Sequence, residues 1–208
     1  MRTLGLIGGM SAESTTPYYQ HLNRLTRERL GGLHSARLVM VSIDFAPLAA
    51  LQAQGDWETA GEMLAAEARR LEAAGAEAIL ICANTMHLVA PAVRAATSLP
   101  LIDIIDETAA TLRAAGARKP LLLATRYTME HGFYTQAMER HGLPMITPAE
   151  AGRAALQRII FEELCAGVVS DASRQVLLGL IETAKAQGAD AVVLGCTELG
   201  LILDPAAL

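Results

Sequence analysis

Apolar residues along this chain fall into short runs that alternate with amphipathic stretches, the pattern of α/β architecture with parallel sheets. RTLGLIGG predicts a first strand and TPYYQHLNRLTRERL the helix after it, with Pro17 early in that helix. ARLVMVSIDF predicts a second strand, followed by a loop that holds Pro47 and Gly55. Asp56 is placed to cap the long helix WETAGEMLAAEARRLEAAG. AEAILIC then predicts a buried strand, with helix returning after Asn84 to about Thr97. A further round opens at Pro100 with LPLIDII, a helix to about Gly116, and the strand KPLLLAT.

Two segments of the pattern repeat. AGAEAILICANT (Ala74 to Thr85) and QGADAVVLGCTE (Gln187 to Glu198) each run from a small-residue turn through an apolar strand to a cysteine and short polar residues. RTLGLIGGMSAEST corresponds loosely to RKPLLLATRYTMEH. Two copies indicate a duplicated lobe and not a solenoid. We therefore expect two pseudo-symmetric lobes, residues 1–98 carrying Cys82 and 99–208 carrying Cys196, each a parallel sheet flanked by helices. The loops GGMS, CANT, TRYT and GCTE all fall at the carboxyl ends of predicted strands, where open α/β sheets bind ligands. The active site is expected in a cleft between the lobes.

Composition narrows the reading. Hydrophobic residues make up 52% of the 208 and charged residues 19%, which excludes a disordered chain. The formal net charge of −5 offers no basic footprint for nucleic acid. No apolar run approaches the roughly 20 residues of a membrane span, and no cationic start precedes an apolar core. A cytoplasmic enzyme is expected, without nucleic-acid or membrane partners. The three cysteines do not make a disulfide framework, and Cys165, in RIIFEELCAG, reads as a small buried hydrophobe. His21, His34, His87, His131 and His141 show no metal-ligand spacing, so no metal is expected. Of the two lysines, Lys119 precedes a strand and Lys185 sits in a helix before one, both at the wrong end for a pyridoxal phosphate Schiff base.

A cysteine where a strand meets a helix N-terminus has its thiolate favoured by the dipole and by open N–H groups. Asn84 and Thr85 after Cys82, and Thr197 after Cys196, add capping oxygens and short polar contacts. One thiolate and one thiol facing each other across a substrate form a base and acid pair, whose exchange of roles is racemisation. His87, one turn past Cys82, reads as a packing histidine with a capacity to tune the site. Glu198 reads either as a partner to the thiol or to an ammonium group, or as a solvated carboxylate at a helix start. GGMS lacks the spacing of a dinucleotide fingerprint or a P-loop.

GLIGGMSAEST, CANTMH, TRYTME, RIIFEELCAG and LGCTEL, in that order and spacing, resemble the aspartate/glutamate racemase family over nearly the whole chain. The resemblance implies racemisation of an acidic amino acid without a cofactor, with Cys82 and Cys196 as alternating acid and base, in a homodimer. It also implies that Met10 and Ser11 line the site, that Asn84, Thr85, Thr125 and Thr197 hold the substrate, and that Gln52 touches it. Arg126 either adds charge near the site or forms a structural ion pair. Three features depart from the family pattern: Ala12 stands where relatives carry Trp, Ala155 where some carry Lys, and the chain ends at Leu208, short of the family's closing helix. The alternatives are a hydantoin racemase, a maleate isomerase or a decarboxylase of the same fold, or a catalytically silent small-molecule binding protein.

Overall fold

A computed structural model describes residues 1–204. Its first strand, β1 (Leu4–Gly8), is the centre of a three-stranded parallel sheet, flanked by β2 (Leu38–Ser42) and β3 (Ala78–Ile81). Leu4 pairs with Leu38 on one side and Ala78 on the other. The run LGLIG is apolar throughout because a central parallel strand is covered on both faces. Helices α1 (Ala12–Leu30), α2 (Phe45–Gln54), α3 (Trp57–Ala73) and α4 (Ala90–Ala96) complete this unit, which spans Met1–Ile104. Its core joins Ile7, Ile79 and Ile81 of the sheet to Leu64, Ala68 and Leu71 of α3. Burying each of the larger aliphatic side chains contributes about 1.5–3 kcal/mol relative to leaving it exposed.

The second unit, Ile105–Leu208, repeats the arrangement in reduced form. It takes up α5 (Ile104–Ala114), whose first residue closes the first unit. β4 (Pro120–Leu123) is wholly buried and pairs in parallel with β5 (Ala191–Leu194). On the other side of β4, Ile146 makes a single parallel bridge to Leu121. Helices α6 (Arg126–Glu130), α7 (Phe133–Arg140), α8 (Glu150–Arg158) and α9 (Asp171–Ala186) surround these strands in sequence. Asp190 ties the sheet together at its far end, accepting from the N–H groups of Arg118 and Lys119 at 2.8 and 2.9 Å. Lys119 is committed there too, its Nζ donating to the Gln187 carbonyl at 2.8 Å. The α/β class with parallel sheets is as the sequence predicts.

Several local expectations are corrected. The segment after β2 is helix and not loop: Asp44 caps α2 through the Ala46 N–H, Pro47 falls in the first turn where its missing N–H costs nothing, and Gly55 closes it with a left-handed backbone. α1 begins at Ala12 under a Ser11 cap, ahead of the start predicted at Thr16, so Pro17 falls in its second turn. LPLIDII forms no full strand; Leu101 alone bridges Ile79, and Ile104 already begins α5, where Asp106 and Glu107 favour a helix start. Cys165 is exposed, because it sits on a short 3₁₀ turn, Leu164–Ala166, in which Leu164 takes the buried place.

Candidate functional site

The glycine pair after β1 permits a close turn. A side chain on Gly9, whose φ is +87°, would strike the backbone of Ile43 at 2.3 Å, and one on Gly8 would strike Thr15. The turn leads through the buried Met10 to Ser11, whose Oγ accepts the Ser14 N–H at 3.2 Å. Thr15 Oγ1 accepts from the Gly9 N–H at 2.9 Å and donates to the Ser11 carbonyl at 2.8 Å. Ser14 Oγ reaches the Cys82 carbonyl at 3.0 Å, joining this turn to the one after β3. Ser14 and Thr15 were not singled out from the sequence; their signal was the run of hydroxyl residues directly after a capping serine.

Cys82 continues β3, its N–H donating to the Ile7 carbonyl at 2.9 Å. The residue is 1% exposed, and burial pushes its thiol up to about 12. Ala83, Asn84 and Thr85 follow, all partly exposed, and Thr85–Val89 forms a 3₁₀ turn. Asn84 Oδ1 is buried with no hydrogen-bond partner among the described residues. A buried amide oxygen of this kind calls for a donor. Gln52 is also buried and donates from Nε2 to Met86 Sδ at 3.1 Å. His87 holds the turn: Nε2 accepts the Ile104 N–H at 3.3 Å, which leaves the proton on Nδ1 to donate to the Ala83 carbonyl at 2.8 Å. Burial favours this neutral ring, against the pull of Asp103.

In the second unit, Thr125 caps α6, accepting the Thr128 N–H, and is almost fully buried. Arg126 points outward with its side chain 63% exposed, paired to Glu130 at 2.7 Å, while its N–H donates to Gln157. Glu130 pairs with Arg153 as well. Cys196 follows Gly195 at the end of β5 and leads into the 3₁₀ turn Thr197–Leu201. Its Sγ donates to Glu198 Oε2 at 2.8 Å, and Thr197 Oγ1 donates to the same oxygen at 2.8 Å. Glu198 is thereby a buried carboxylate bound to the thiol, and the solvated alternative falls away. Burial, and then the Glu198 charge, push the Cys196 thiol well above its ordinary range. Ala155 lies partly buried on α8, and Ala12 lines an open hollow of about 320 Å³ with Tyr19, Met40 and Ser42. Among the described residues, no group of three or more His, Cys, Asp or Glu side chains is placed to hold a metal ion.

The sheet registers correct one equivalence. Ile81 pairs with Ile7, and the next N–H, that of Cys82, donates to the Ile7 carbonyl. Leu194 pairs with Leu123, and the next N–H, that of Gly195, donates to the Leu123 carbonyl at 2.7 Å. Cys82 thus matches Gly195, and Ala83 matches Cys196. The two cysteines stand one residue out of step.

The chain is similar to known racemases throughout its length. Residues 7–207 match the family profile described as Asp/Glu/Hydantoin racemase. A Yersinia pestis protein assigned to the Asp/Glu racemases is 48% identical, with 99% of this chain and 90% of that one covered and a TM-score of 0.93. The Pyrococcus horikoshii protein PH1733, an aspartate racemase homologue, is 35% identical, covering 100% and 91%, with a TM-score of 0.85. The broad specificity amino-acid racemase RacX of Bacillus subtilis is 23% identical over 205 residues, 97% of this chain and 87% of its own.

Proposed function

This chain belongs to the Asp/Glu/hydantoin racemase family and is an isomerase, an amino-acid racemase; from that premise we propose that its substrate is an acidic amino acid. Aspartate and glutamate are the candidates, the reaction needs no bound cofactor, and Cys196 is the side chain that moves the α-proton. The observation that carries this reading is the hydrogen bond from Cys196 Sγ to Glu198 Oε2 at the carboxyl end of β5.

A thiol is a useful base only as a thiolate. Burial and the Glu198 charge keep this one protonated at rest. Glu198 is also in place to receive the thiol proton when a substrate ammonium group arrives to balance the charge. The thiolate then takes the α-proton: the Cα–H bond breaks, an S–H bond forms, and the electron pair spreads into the α-carboxylate. Donors fixed in advance lower that barrier more than donors that must reorganise. In the second unit Thr197 steadies the Glu198 carboxylate, its hydroxyl donating to the same oxygen that accepts from the Cys196 thiol. In the first unit, Asn84 presents an amide whose buried oxygen has no partner among the described residues, and Gln52 donates to Met86.

Incubation of the enzyme with D- and L-aspartate and D- and L-glutamate in deuterium oxide tests the proposal. Loss of the α-hydrogen nuclear resonance signal, abolished by Cys196→Ser, is expected for at least one of these. Absence of exchange with all four refutes the substrate assignment.

A further inference from the structure

We propose that this racemase carries one proton-moving thiol instead of two, because Ala83, and not Cys82, occupies the position in the first repeat that matches Cys196. The inference rests on the reading of the chain as a racemase of acidic amino acids.

Three independent observations support it. The first is the hydrogen-bond register, which matches Cys82 with Gly195 and Ala83 with Cys196. The second is burial: Cys82 and Gly195 are buried, whereas Ala83 and Cys196 are both partly exposed. Successive residues of an extended chain point to opposite faces, so a one-residue offset moves a side chain from the reactive face to the packed one. The third is room. A Cβ on Gly195 would lie 2.9 Å from Ala124 Cβ and 3.1 Å from Leu122 Cδ1, so this position faces the packed interior. Cys82 fills the corresponding place in the first unit, as a small buried hydrophobe.

The turn is also held against rotation. Ser14 binds the carbonyl of Cys82, and His87 binds the carbonyl of Ala83. Carrying Cys82 to the opposite face needs the backbone to turn, which would break both.

A two-base racemase needs a proton-carrying group on each face of the substrate α-carbon. Here the first copy offers a methyl group. The thiolate of Cys196 takes the α-proton, breaking Cα–H and forming S–H, and the electron pair passes into the carboxylate. Return of a proton from the same sulfur restores the starting enantiomer. Inversion requires a proton from solvent water on the other face, with hydroxide as the by-product until Glu198 releases its proton. Since enantiomers have equal free energy, kcat/KM for inversion is the same from either side. The asymmetry therefore shows as solvent hydrogen entering unreacted substrate before it inverts.

The full-length protein is incubated in deuterium oxide with each enantiomer of aspartate and glutamate, following deuterium by nuclear resonance and inversion by chiral chromatography. For one enantiomer, deuterium is expected in the recovered substrate ahead of inverted product. Ala83→Cys should raise inversion by about 100-fold, the lower end of what a positioned acid contributes. Cys82→Ala and Cys82→Ser should leave both rates unchanged. A second measurement does not depend on turnover: native alkylation with iodoacetamide, read by mass spectrometry, should label the cysteine of Ala83→Cys and spare Cys82. The proposal is overturned if folded Cys82→Ala and Cys82→Ser lose inversion, if deuterium enters only the inverted product, or if Cys82 labels as fast as Cys196. If no amino acid exchanges, the substrate reading fails, and the labelling pattern still decides this inference.

Discussion

Replacing Gly195 by alanine adds a single methyl group to the best-defined tight spot beside the candidate site. The new carbon would sit 2.9 Å from Ala124 Cβ, 3.1 Å from Leu122 Cδ1 and 3.3 Å from the Leu123 carbonyl oxygen. Ala124, Leu122 and Leu123 are all fully buried, and one of the obstacles is backbone, so the neighbours have little space to yield. Overpacking of this kind costs about 1–3 kcal/mol. The same substitution at Gly179 makes the comparison. Gly179 is an exposed residue inside α9, with nothing within 4 Å of a built Cβ. There alanine should stabilise by about 1 kcal/mol through helix propensity alone. For a chain of this size each kcal/mol moves the midpoint by roughly 2–4 °C, so Gly195→Ala should lower Tm by about 2–12 °C and Gly179→Ala raise it by about 2–4 °C. Thermal melts followed by circular dichroism at one pH measure both. If Gly195→Ala melts at or above the parent temperature, the packed face assigned to Gly195 and Cys82 is wrong.

Two further outcomes follow from the titrating groups. Glu198→Gln removes a charge that, after burial, holds the Cys196 thiol high, so thiolate absorbance in the ultraviolet should appear at lower pH than in the parent while α-hydrogen exchange slows; an unchanged thiol titration contradicts the pairing. His87 is buried neutral, its pKa depressed below the ordinary 6.5 chiefly by desolvation. Below pH 6.5 the unfolded chain therefore binds a proton that the folded chain refuses, and stability should fall as pH drops through that value towards the folded pKa. Urea titrations across this range should show a weaker fall for His87→Asn, and an equal fall in both proteins refutes the assignment.

Much of the architecture was legible because parallel strands buried on both faces must be apolar runs. β1, β3 and β4 are such runs, β5 is equally apolar though only partly buried, and each lies inside a strand predicted from the sequence. α2 was hidden because FAPLAALQAQ is apolar on all sides and carries Pro47, so periodicity gave no signal; only Asp44 and Gly55 marked its ends. The strand predicted at LPLIDII shrank to one bridge because Asp106 and Glu107, directly after it, favour a helix start. The Cys196 pairing with Glu198 was visible as one of two options, and burial selects it. The step between the cysteines was also present in the sequence, since the repeats align without gaps. Its meaning was not, because strand parity decides which of two adjacent side chains faces solvent, and parity is set by the register with β1 and β4.

His87 also serves as a built-in spectroscopic reporter. Its two ring nitrogens differ in kind, one bearing hydrogen against Ala83 and one receiving it from Ile104. Their nitrogen resonances should therefore be well separated and individually assignable. The first would follow the conformation of the turn during ligand titration, and the second the last residue of the first unit, in the unmodified native chain.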